Sequence, residues 1–160
     1  MTRMPSSADA RSRRFRRLLL AELGLAALGM LISSRVSGEA PADFLVVVHP
    51  EHPSESAARE FLADAFLKRT TRWPGGEAIK PVDLRADSRV RKAFSARVLN
   101  RSVAAVRSYW QQRIFSGRGV PPPELDSDEA VVRYVISHAG AVGYVSGGAK
   151  LDRARVLRVT

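Results

Sequence analysis

The sequence predicts an α/β domain built on a mixed or parallel sheet flanked by helices. Three observations carry this: a buried strand opens the ordered part, strands then alternate with helical periodicities, and two more strand runs close the chain. Phe44–Val48 (FLVVV) is a continuous apolar, β-branched run ended by His49-Pro50. Such a run fits a strand buried on both faces, as in a parallel sheet. A helix is expected from about Ser56 to Leu67, because Ala58, Phe61, Leu62, Ala65 and Phe66 recur at helical spacing. Pro74-Gly75-Gly76 marks a turn. Ile79–Leu84 follows as a second strand, with Pro81 placing it at an edge or at a strand entry.

Asp87 and Ser88 stand where a helix N-cap belongs, and Val90, Ala93, Phe94 and Val98 give the next helix its inward face. Asn100 breaks that helix and Ser102 restarts it, with Val103, Val106, Trp110 and Ile114 turned inward. Residues 116–123 (SGRGVPPP) are a loop. Asp126 or Ser127 caps a last helix that buries Val131, Tyr134 and Val135 and stops at Gly140. Ala141–Ser146 and Arg155–Val159 are the closing strands.

The start of the chain has a different character. RSRRFRR at 11–17 precedes LLLAELGLAALGMLI at 18–32, a basic segment followed by an apolar stretch of signal-peptide length, shorter than a full membrane span and blemished by Glu22. Ala40-Pro41-Ala42 has the A-x-A form, so cleavage after Ala42 is expected, ahead of the alternative after Ala40. Arg16-Arg17 before three leucines resembles a twin-arginine signal, but its flanks fit that pattern poorly. The expected organisation is a leader over 1–42, or an uncleaved anchor, and a periplasmic α/β domain over 43–160. Membrane contact is expected only through the leader, if it is retained.

With 160 residues, 45% hydrophobic and 26% charged, the chain has the composition of one ordinary globular domain. The absence of cysteine excludes disulfides, thiolate zinc sites and cysteine nucleophiles. The net charge of +10 is shared: residues 1–42 carry seven arginines against three acids, and the remainder nineteen cations against thirteen acids. The domain is therefore basic in its own right and suits anionic partners. Export argues against nucleic acid.

No catalytic constellation is legible. The sequence contains no G-x-S-x-G elbow, Walker loop or G-x-G-x-x-G, so an enzyme is not expected, nor a cofactor. His49 and His52 bracket Glu51 in a proline loop without the helical H-x-x-x-H spacing a metal site favours, and they read as a polar loop. Trp73 and Trp110 are candidate stacking surfaces, although Trp110 falls on an apolar helix face. The informative stretch is Arg85–Lys92 (RADSRVRK). Ser88 caps a helix whose first turns hold Arg89, Arg91 and Lys92, cations of the sign a helix N-terminus disfavours. Free N–H groups, a hydroxyl and several cations in one place suit phosphate or sulfate. The competing reading is that these side chains are solvated or pair with Asp83 and Asp87.

The segments FLVVVHP, FLADAFLKRTTRWPGGEAIKPVDL, DSRVRKAF and HAGAVGYV, in this order, resemble the second lobe of the phosphate-binding periplasmic proteins of ABC transporters. The likeness covers roughly residues 44–146. It implies a single lobe of a type 2 periplasmic-binding-protein-like fold, handling phosphate or a related oxyanion. By position, Arg85, Asp87 and Ser88 match the family's Arg-x-Asp-Gly-Ser-Gly-Thr segment with a one-residue contraction, and with Arg89 they form the expected anion site. Arg89 and Val90 replace the Gly and Thr, removing a hydroxyl and a close approach to the backbone. The first lobe has no counterpart, and cleavage at Ala42 leaves no room for one. A single lobe cannot close over a solute, so affinity is expected to fall unless a partner protein supplies the other wall. The alternative is an envelope interaction module that kept the lobe and lost its ligand.

Overall fold

The computed structural model describes residues 43–160. The leader expected over 1–42 and its cleavage site lie outside them.

The first strand, β1 (Phe44–Val48), forms the middle of a five-stranded sheet. It is flanked by the two closing strands, β6 (Ala141–Ser146) on one side and β7 (Arg155–Val159) on the other. Both pair with it antiparallel, Val46 standing opposite Tyr144 and Leu157. The parallel neighbours expected for β1 are thus corrected. A continuous apolar run reports burial on both faces, and burial does not distinguish strand direction.

Both faces are covered. Within β6, Gly143 faces one layer: a Cβ there would lie 2.6 Å from Val131 and 2.9 Å from Val82. Tyr144, the next residue, faces the other way and stacks on Phe94 at 3.9 Å between ring centroids, with Phe66 beside both. Successive strand residues point to opposite faces, so these contacts place helices on each side. The first layer is α4 (Asp128–Ser137), burying Val131, Val132 and Val135. The second contains α1 (Arg59–Phe66) and α2 (Arg89–Arg97).

Helix α1 begins later than the expected Ser56. Ser56 and Ala57 instead form the short strand β2, which pairs parallel with β7 at the sheet edge. Their backbone is held by Arg158 and Thr160, whose N–H groups donate to Glu55 and Ala57. At the opposite edge β3 (Lys80–Pro81) pairs parallel with β6, and the edge position tolerates the missing N–H of Pro81. The chain then continues into β4 (Asp83–Leu84), which leaves β6 and pairs parallel with β5 (Glu124–Leu125). Between β4 and β5 lie α2 and α3 (Val103–Phe115).

Three serine caps start helices: Ser88, Ser102 and Ser127 accept the N–H of Arg91, Ala105 and Ala130. Each satisfies one of the donors that a helix N-terminus leaves without an intrahelical partner. The inward face of α3 is shorter than expected. Val106 and Trp110 are buried, whereas Ile114 is 50% exposed.

Candidate functional site

The turn between β4 and α2 and the first residue of that helix hold the four residues expected to bind an anion, Arg85, Asp87, Ser88 and Arg89. Ser88 N–H donates to the Arg85 carbonyl at 3.0 Å, closing a tight turn ahead of the helix. Within it, Arg85 Nη2 lies 2.9 Å from Asp87 Oδ2, an exposed ion pair. The Ser88 hydroxyl accepts from Arg91 N–H at 3.3 Å and its carbonyl accepts from Lys92 N–H. The N–H groups of Arg89 and Val90 therefore stand ahead of the intrahelical ladder.

The four residues do not converge on one point. Arg85 and Asp87 open onto a cleft of about 550 Å³ that also includes Val103, Arg107 and Glu124. Arg89 lines a separate shallow depression with Asp43, Ser146 and Gly147. Ser88 sits between them as the cap.

The cleft rests on a buried polar network. Arg91, grouped with the surface cations in the sequence, points inward. Its Nη1 lies 2.7 Å from Asp83 Oδ2 and donates to the Leu84 carbonyl at 2.9 Å, and both side chains are buried. Tyr144 donates its hydroxyl to Asp83 Oδ1 at 2.7 Å and accepts from Leu84 N–H at 3.3 Å. Burial pushes the Asp83 carboxyl up to about 6, against the opposing pull of the Arg91 guanidinium and the Tyr144 hydroxyl. Burial, followed by the Asp83 charge, pushes the Tyr144 phenol up, so it stays protonated and donating.

This network pins the end of β4 to the first turn of α2, fixing the turn that carries Arg85–Ser88. The sequence holds a signal for it. Arg91, Phe94, Ser95 and Val98 follow helical spacing and are the buried stripe of the segment, while Val90 and Ala93 are only half-buried.

The other candidates resolve as structure. Trp73 is buried and donates Nε1–H to the Gly140 carbonyl at 3.1 Å, so it is a core residue and no ligand platform. His52 is buried against it at 4.3 Å between ring centroids, and burial lowers its pKa. His49 Nδ1 accepts from Glu51 N–H in the same loop. Among the described residues no cluster of His, Cys, Asp and Glu could hold a metal ion. No described helix is long and apolar enough to cross a membrane.

The fold has solved counterparts. A phosphate ABC transporter substrate-binding protein with bound phosphate from Clostridium perfringens matches with a TM-score of 0.59 and 17% identity, over 74% of this chain and 45% of that one. An ABC-type phosphate transport receptor from Vibrio cholerae matches at 0.57 and 18%, over 74% and 46%. PstS from Borrelia burgdorferi matches at 0.59 and 14%, over 74% and 47%. The fold is periplasmic-binding-protein-like. At these identities the likeness concerns the fold alone, and the chain spans less than half the length of each of these proteins. No family model and no curated protein matches the sequence.

Proposed function

We propose that this chain is an exported lobe that binds phosphate or a related oxyanion, serving ABC-type phosphate transport or anion sensing in the periplasm. The observation that carries the reading is the turn Arg85–Ser88. It sets a guanidinium, a serine cap and the leading N–H groups of a helix beside an open cleft, on a fold shared with phosphate-binding proteins. Helix N-termini favour anions through their unpaired donors and dipole, and the guanidinium adds a charge-assisted fork. A guanidinium, a hydroxyl and helix N–H groups are donors suited to holding an oxyanion, and the role in this reading is binding.

The described residues offer one wall of the site, and in this reading a partner protein supplies the other. One wall alone leaves the anion partly hydrated, so affinity in the millimolar range is expected. Isothermal titration of the full chain in neutral detergent with phosphate and sulfate tests this. Binding that weakens at least fivefold in Arg85→Ala and in Ser88→Ala supports the reading. Absence of binding at millimolar anion, or binding untouched by both changes, overturns it.

A second reading is an envelope interaction module that retains the lobe without its ligand. It is favoured by one observation: Arg85 is engaged by Asp87 and the Ser88 hydroxyl by the Arg91 N–H. Co-purification with a partner, together with a Tm unmoved by oxyanions, selects it.

A further inference from the structure

The segment Ser88–Pro123 contains eight arginines and lysines and no aspartate or glutamate. Its last part is also the most apolar exposed surface among the described residues. Phe115 is 91% exposed, Ile114 50% and Val120 64%. These three sit on the C-terminal end of α3 and the loop after it, an end that is held in shape. Arg113 donates to the Arg118 carbonyl at 2.8 Å, Arg118 N–H returns a bond to the Arg113 carbonyl, and Gly117 N–H donates to that of Ile114. The Arg113 guanidinium stacks over Tyr109 and Trp110. Gly117 and Gly119 adopt positive φ, and a Cβ on either would meet nothing within 4 Å.

We propose that this tip docks on an anionic lipid surface, with Phe115, Ile114 and Val120 entering the interface and Arg118 lying among the headgroups. Two features favour an anionic lipid surface. The apolar residues of the tip are flanked by arginine, the pairing that interfacial segments use on anionic membranes. Arg118 forms no ion pair with the described residues, so its charge is available to headgroups. Glu124, half-exposed beyond the loop and 3.8 Å from Arg91, is the nearest acid along the chain. The docking is separate from the oxyanion site and does not require it.

The chain has no cysteine, so a single label can be introduced cleanly. An environment-sensitive fluorophore on Phe115→Cys in the full chain is compared with one on Glu77→Cys. Glu77 is exposed and precedes β3, whereas the loop leads into β5, which pairs with β4. Vesicles of phosphatidylcholine alone are compared with vesicles containing one-third phosphatidylglycerol. The same leader is present throughout, and Arg118→Gln, which leaves it unchanged, separates its contribution from that of the loop. The expected result is a blue shift and intensity gain at position 115 on the anionic vesicles only, none at 77, and about fivefold weaker partitioning in Arg118→Gln. That factor is the effect of one basic residue at an anionic surface. A label at 115 that stays in water on anionic vesicles, or responds equally to both compositions, overturns the proposal.

Discussion

Arg91 and Asp83 form a buried ion pair at 2.7 Å that ties α2 to the end of β4, directly beneath the candidate anion site. The pair is completed by the Tyr144 hydroxyl and the Leu84 carbonyl, and Tyr144 is itself clamped against Phe94 of α2. One small network therefore sets where the helix begins. Its loss would move the Arg85–Ser88 turn before it changed any residue in it.

Breaking this pair from one side leaves a buried charge uncompensated, which costs about 3–5 kcal/mol. Arg91→Met is expected to lose stability on that scale in urea unfolding. Adding Asp83→Asn to Arg91→Met should recover part of the loss, since the remaining carbonyl still accepts from Tyr144.

The raised Asp83 pKa makes a signed statement about pH. The carboxyl titrates near 6 in the folded protein and near 3.8 as a reference, so between those values the folded state binds the proton more tightly. The stability this residue contributes is fully present below pH 3.8 and is lost as pH rises through 6. The span corresponds to about 3 kcal/mol. The difference in urea stability between the native chain and Asp83→Asn should shift in that direction between pH 3.5 and 7. Carboxyl-detected NMR should place the Asp83 midpoint near 6.

Gly140 lies in the turn between α4 and β6 with a φ of +77°, and a Cβ there would collide with the Ala78 carbonyl oxygen. Its own carbonyl accepts from Trp73 Nε1 and Lys80 N–H. Gly140→Ala is therefore expected to destabilise by about 2–4 kcal/mol through strain and displacement of these bonds. The loss should appear in thermal unfolding, with a red-shifted Trp73 emission.

Much of this fold was legible in the residues. β1, β6 and β7 have the limits their apolar runs indicate, and Ser88, Ser102 and Ser127 cap the helices they precede. Strand direction was not legible, because Phe44–Val48 looks the same between parallel or antiparallel neighbours. The two-residue strands β2, β4 and β5 are too short to show a period, and tertiary pairing alone defines them. In the site, the turn was visible as a cap with cations, but the division of labour among its arginines was not. Arg91 carries the same charge as Arg89; its place on the stripe with Phe94 and Val98 is the one sequence sign of its burial, and Asp83 on a neighbouring strand draws it inward.

Ser102→Ala provides a control for the candidate site. It removes the α3 cap and should cost about 1 kcal/mol, as Ser88→Ala should. Only Ser88→Ala is expected to weaken phosphate binding as well, read by titration at matched folded fractions.

The most direct test of the central claim is amide NMR of the full chain in neutral detergent during titration with phosphate. The account predicts saturable, millimolar shifts of the Arg89 and Val90 N–H signals, reduced in Arg85→Ala. Unmoved signals at those two residues, or identical shifts in Arg85→Ala, would contradict it.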